Sequence, residues 1–218
     1  MKTTQILLLS VASLLMLSGC SNKKGSENTA GEEEECHDEF IKTIDYGGAP
    51  YRFTELGLAC HDGDLSKVQT LIQNGACTTG CMGDDIFEYD ALYTAVWFGK
   101  PDIVNYLIRQ GENVNRIYGE ARGTLLSLAC LNEDKEIAFK MAELLIKAGA
   151  SVQAEQNFDG GYTAVPLHFA VGKNNLSLVK LLIEHGADIH IESEGMTIFQ
   201  MADMSANAEM KEYIQSLH

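Results

Sequence analysis

A four-times-repeated phrase constrains this chain more than any other feature. Leu-Ile-Gln-Asn-Gly-Ala (71–76) returns as Leu-Ile-Arg-Gln-Gly-Glu (107–112), Leu-Ile-Lys-Ala-Gly-Ala (145–150) and Leu-Ile-Glu-His-Gly-Ala (182–187). The shared glycines 75, 111, 149 and 186 lie 36, 38 and 37 residues apart, and an alanine recurs upstream at 59, 95, 129, 170 and 202. Such a period means one supersecondary unit used repeatedly, each copy burying its apolar face on the next. Each unit contains an apolar stripe at helical spacing, as in Val104, Leu107 and Ile108, and the glycine that follows suits a left-handed helix end. With 3 prolines in 218 residues, long stretches are free to be helical.

The residues of these units resemble the ankyrin repeat. The fullest match is Pro166-Leu167-His168-Phe169-Ala170, continued by Val179, Leu182-Ile183 and Gly186-Ala187-Asp188; Thr54, Thr124 and Thr197 stand at the family's threonine position, and Leu56, Leu92 and Leu126 at its leucine. The resemblance implies an all-α helical solenoid of four to five helix–turn–helix repeats with finger loops. The boundaries fall near 52–84, 85–119, 120–156, 157–191 and 192–218, the last unit turning polar after Met210 and Ile214 as a terminal cap should. It also implies that His168 bonds its own turn. Phe40, Ile41 and Ile44 before Gly47-Gly48-Ala49 read as a helical N-terminal cap over 37–51.

These units are longer than the family's roughly 33 residues. The glycine-to-alanine gaps are 20, 18, 21 and 16, so residues are added in the fingers after the first and third units, and about one helical turn is added near Asn132–Lys140. Insertions in a solenoid map to loops, either on a binding face or as cheaply tolerated length. The family binds other proteins through its fingers and its inner, concave helices. Carried over by position, that surface holds Tyr51, Phe53, His61 and Asp62, then Phe87, Tyr89, Trp97 and Phe98, then Leu131, Asn132 and Lys173. Four aromatics in the second unit, including the single tryptophan, make a candidate hot spot, or pack beneath the lengthened finger.

The N-terminus reads as an export signal. Met1-Lys2 is followed by an apolar run from Ile6 to Leu17 and then Leu17-Ser18-Gly19-Cys20, which looks like the lipobox of bacterial lipoproteins. That resemblance implies cleavage after residue 19 and lipidation of Cys20; several acyl chains there would make a stable membrane anchor. Removing 1–19 removes only Lys2, which leaves 15 basic and 31 acidic residues, a net charge of −16. Residues 20–36 are a polar, glutamate-rich tether reaching roughly 20 Å. The neutral Ser21 resembles the outer-membrane sorting pattern, so the expected location is the bacterial envelope, lipid-anchored to the outer membrane and facing the periplasm.

That compartment permits disulfides. Cys77 and Cys81, four apart beside Gly80, are close enough to bridge; Cys36 reaches Cys60 if the N-terminal cap folds back; Cys130 is expected to be buried and free. Cys60 and Cys130 sit two repeats apart and are too distant to pair.

The acidic balance, 31 Asp and Glu against 16 Lys and Arg, repels phosphate backbones and argues against nucleic acid as a partner. No nucleophile–base pair, phosphate loop or CxxC motif is evident, and His61-Asp62-Gly63-Asp64 falls in a turn between helices. The expectation is therefore a non-enzymatic module with no cofactor, metal or small-molecule substrate. It binds another, basic protein in the envelope, as an inhibitor or immunity protein for an enzyme or toxin. An envelope scaffold or oxidative-stress protection factor is the alternative, and a redox role for Cys77 and Cys81 a third.

Overall fold

The computed structural model describes residues 38–84, 86–118, 123–153, 155–156, 162–163, 165–193, 195–204 and 208–217. The signal, the tether, Cys20 and Cys36 lie outside them. The chain opens with a β-hairpin, β1 (Lys42–Tyr46) and β2 (Ala49–Phe53). Helix pairs and short finger strands then alternate. The first pair is α1 (Glu55–Asp62) and α2 (Leu65–Gln73), followed by β3 (Met82–Gly83) and β4 (Glu88–Tyr89). Next come α3 (Ala91–Trp97) and α4 (Pro101–Gln110), then β5 (Ile117–Tyr118) and β6 (Gly123–Thr124). After these stand α5 (Leu125–Cys130) and α6 (Lys135–Lys147), with β7 (Glu155–Gln156) and β8 (Tyr162–Thr163). The last pairs are α7 (Pro166–Gly172) with α8 (Leu176–Glu184), and α9 (Ile198–Met204) with α10 (Ala208–Gln215).

Within each pair the helices pack on one another. The inner helices α1, α3, α5, α7 and α9 touch in series, as do the outer helices α2, α4, α6 and α8. This is the expected helical solenoid, with five helix pairs among the described residues. The core runs unbroken through it: Leu56, Leu92, Leu126 and Leu167 are buried at matching places on successive inner helices, Ile198 is buried one residue earlier in the last, and Ala59, Ala95, Ala129, Ala170 and Ala202 let those helices approach.

Local chemistry sets where the helices begin and end. Thr54, Asp90 and Thr124 cap α1, α3 and α5 by accepting from the amides of Gly57, Tyr93 and Ser127. The family's threonine position is thus an N-cap, and aspartate does the same work in the second unit. The four repeat glycines have φ of 89°, 95°, 90° and 89°, the left-handed turn that stops each outer helix. Gly57 is needed for another reason: a β-carbon there would lie 1.8 Å from the Cys81 carbonyl oxygen of the first finger. The added turn near Asn132–Lys140 appears as a longer outer helix, 13 residues in α6 against 9 in α2.

The helical cap over 37–51 is not observed. That segment is the hairpin, with Lys42 opposite Phe53 and Tyr46 opposite Ala49. Its turn residues Gly47 and Gly48 both have positive φ, as a two-residue turn matched to strand twist requires. β2 continues the pairing to the first finger, giving a four-stranded sheet in the order β1-β2-β3-β4. His168 also differs from expectation: its Nε2 bonds the Met196 carbonyl of the following unit at 2.9 Å and so joins two repeats.

Candidate functional site

The hairpin and the first two inner helices gather the aromatics into one cluster. Tyr51 of β2 lies 6.2 Å from Trp97 and 6.0 Å from Tyr46, and Tyr46 sits 5.5 Å from Phe98 at the end of α3. From Trp97 the rings continue to Tyr93 at 5.8 Å, which stacks on Tyr89 at 4.3 Å and meets Tyr118 at 4.7 Å. Most of this cluster is packed against itself. Phe53 is fully buried in the core, so it is structural and does not belong to a binding surface. Tyr51, Tyr89, Phe87 and Phe98 are half-buried, while Trp97 keeps 43% of its surface and Tyr46 keeps 37%. The rings of the second unit thus pack against one another and the hairpin, and Trp97 emerges from them.

His61 is held from both sides. Its Nδ1 bonds Asp62 Oδ1 at 2.6 Å, and Nε2 takes the Tyr46 hydroxyl. Its ring meets Phe98 edge-on at 4.6 Å. An Asp–His–hydroxyl chain has the outline of a nucleophile relay, yet burial and the Asp62 charge both push the Tyr46 hydroxyl up, away from a reactive phenolate. The chain instead pins the hairpin tip to the end of α1. Asp62 itself is exposed.

The finger beside this cluster is braced by two carboxylates. Asp84 Oδ1 accepts from the amides of Ile86 (2.8 Å) and Phe87 (2.7 Å), and the Tyr89 hydroxyl donates to Oδ2 at 3.2 Å. Burial alone would raise the Asp84 carboxyl, but these bonds and the Arg52 charge outweigh it and hold it below its usual value. Burial and Asp84 together push the Tyr89 hydroxyl up to about 12. Asp90, buried at the head of α3, accepts from Arg116 at 2.8 Å and from the Tyr118 hydroxyl at 2.7 Å. Burial and Asp90 raise the Tyr118 hydroxyl strongly. These bonds tie the second finger to the first, so the rings between them are fixed.

Leu131 and Lys173 stand further along the inner helices, apart from the ring cluster. Leu131 is 40% exposed. Lys173 pairs with Glu133, and Asn132 is half-buried with its side-chain oxygen accepting from the Asp134 amide at 3.0 Å. Tyr46, Tyr93 and Tyr118, which complete the cluster, were not singled out by the sequence. Tyr46 fell in the segment read as a helix. The other two carry a weaker mark, a tyrosine on each side of the capping Asp90 network.

The cysteines correct another expectation. Cys81 is free and fully buried, its thiol donating to the carbonyls of Cys77 at 3.2 Å and Thr78 at 3.3 Å. It turns into the core, and burial pushes its thiol well up. Cys77 is disulfide-bonded whereas Cys81 is free, so the two do not bridge each other. Cys60 is also free, which removes the Cys36–Cys60 bridge; burial raises its thiol to about 12. Cys130 is buried and free as expected.

The comparisons with known proteins agree with this architecture. The sequence profile of the family Ankyrin repeats (3 copies) matches residues 92–193 and 126–214. An ankyrin repeat protein of Rickettsia felis is 29% identical over 171 residues, covering 72% of this chain and 71% of that protein. A palmitoyltransferase of Danio rerio is 32% identical over 162 residues, 73% of this chain but 23% of its own length. Ankyrin repeat and SOCS box protein 5 of Oryctolagus cuniculus is 31% identical over 120 residues, 55% of this chain and 33% of its own. The chain spans less than a quarter of the enzymes it resembles, and the likeness falls on their repeats.

Proposed function

We propose that this chain, which belongs to the ankyrin-repeat family, is a lipid-anchored, non-enzymatic protein-binding module of the bacterial envelope. One observation carries the binding reading: Trp97 stands 43% exposed on an inner helix, backed by fixed rings. A large aromatic side chain held in one orientation loses little entropy on binding and is the usual anchor of a protein interface. The excess of acidic over basic residues, a net charge of −15 for the full chain, favours a basic partner. The lipobox-like Leu17-Ser18-Gly19-Cys20 supports the envelope location and the membrane anchor on Cys20, and a disulfide at Cys77 suits an oxidising compartment. Facing the periplasm from the outer membrane, such a module would hold and inhibit an envelope-acting enzyme or toxin, as an immunity protein does. A redox role is disfavoured by Cys81, whose buried, raised thiol is a poor nucleophile.

Two measurements test this. In cell fractionation, Cys20→Ser should move the protein from the membrane to the soluble fraction; retention at the membrane rejects the lipid anchor. In pull-downs from envelope extract, the native chain should recover one tight partner that Trp97→Ala loses. Equal recovery by both would remove Trp97 from the interface.

A further inference from the structure

The inner helices repeat an exposed position as well as a buried one. Two residues beyond Ala59, Ala95, Ala129, Ala170 and Ala202 stand His61, Trp97, Leu131, Gly172 and Met204. Because the inner helices pack side by side in order, these places recur once at the end of each successive inner helix and so form one row. Trp97, Leu131 and Met204 expose 43%, 40% and 78% of their surface. Gly172 leaves a gap between the last two, and a β-carbon there would meet only Met201 Cε, at 3.6 Å. At the other end the row is closed by Tyr46 on His61. Large apolar side chains exposed at the same place on three of the inner helices make a candidate docking surface.

We propose that this row receives a basic amphipathic α-helix of another protein, with an apolar residue at every seventh position. The proposal rests on the protein-binding reading above and names the shape of the partner. Spacing is the first reason: packed helices lie about 8–10 Å apart, and seven residues of helix rise about 10.5 Å. Successive seventh residues therefore meet successive members of the row, with one filling the gap at Gly172. Hydrogen bonding is the second. The inner helices use their own peptide groups, so an extended strand laid across Trp97 and Leu131 would find no partners there, whereas a helix arrives with its backbone satisfied. Charge is the third. The row is flanked by Asp62, Glu133 and Asp203, whose side chains are 56%, 87% and 60% exposed. Glu133 and Asp203 pair with Lys173 and Lys211 at that exposure, and the row stands within the acidic field of the whole chain, net −15, which attracts a basic partner.

The test is selection of a phage-displayed library of 25-residue helix-forming peptides against the intact protein. The selected peptides should be basic, with apolar residues seven apart. Their affinity should fall at least tenfold in Gly172→Leu, which fills the gap and improves helix propensity, and in Met204→Glu, which alters an exposed side chain. The melting temperature of Met204→Glu should match the native protein, so a folding defect in the glycine variant would not blur the result. Acidic or proline-rich binders, or no binders, would overturn the proposal. Peptides that bind yet ignore both substitutions would sink the row while leaving the protein-binding reading intact. Failure of both the library and the envelope extract to yield a binder would overturn that reading as well.

Discussion

Trp97 and Phe98 are neighbours in sequence with opposite duties. Trp97 turns out from the ring cluster, whereas Phe98 packs at 4.6 Å on His61 and 6.0 Å on the buried Phe53. Trp97→Ala should cost under about 1 kcal/mol of stability and lose partner binding, whereas Phe98→Ala should cost about 2 kcal/mol, less than a fully buried phenylalanine. Thermal unfolding of the two single variants separates them; equal losses would mean that Trp97 is core. Sequence could not make this distinction, because both aromatics follow the same inner-helix alanine and only the turn of the helix decides which one packs in against His61 and Phe53. The cysteines give a second contrast. In the native protein without reductant, a thiol reagent should leave Cys60, Cys81 and Cys130 unmodified until the chain is unfolded, while Cys77 should react only after reduction as well. Rapid labelling of Cys81 in the folded state would contradict its burial.

Helices and caps were largely legible because their signals are local: an apolar stripe, a threonine or aspartate before it, a glycine after it. The hairpin was not legible as such, since Phe40, Ile41 and Ile44 fit a helical period as readily as a strand over so few residues. What decides it is pairing, Phe53 with Met82 and Arg52 with Gly83, between segments 30 residues apart. The ring cluster was half legible for the same reason: its members were visible, but Tyr46 and Tyr118 join it only through strands and Asp90. That carboxylate is the element-scale keystone. Asp90 caps α3 through the Tyr93 amide at 2.7 Å and holds both Arg116 and Tyr118. Asp90→Ala leaves all three donors unpartnered and should cost about 3 kcal/mol; Asp90→Asn, which keeps the cap but loses the charge, should cost less. Urea unfolding of the pair gives the comparison, and an Asp90→Ala variant as stable as the native chain would show that the finger is held by packing alone.

A solenoid is stabilised by nearest neighbours, so its ends are its weakest units. Here the units are joined by side chains that cross from one to the next: Asn115 reaches the Gly149 carbonyl at 2.9 Å and the Ser151 amide at 2.8 Å, and buried Asn175 reaches the Lys135 carbonyl at 3.0 Å. The last junction depends on His168, whose Nε2–H donates to the Met196 carbonyl. Burial lowers the tendency of this imidazole to take a second proton, and the Met196 bond only partly opposes that. Its native pKa therefore lies below the unfolded value of about 6.5. Stability from this group is complete above the unfolded value and is lost as pH falls through the lower native one, because a proton must then enter a buried site. The loss should be local. Between pH 7.5 and 5.5, amide protection, taken relative to the intrinsic exchange rate at each pH, should fall in α9 and α10 first, with α3 to α6 little changed. His168→Gln retains a donor for Met196 but does not titrate in this range, so it should abolish the local pH effect. A uniform loss of protection along the stack, or the same pH response in the glutamine variant, would show that the final repeat is not held through His168.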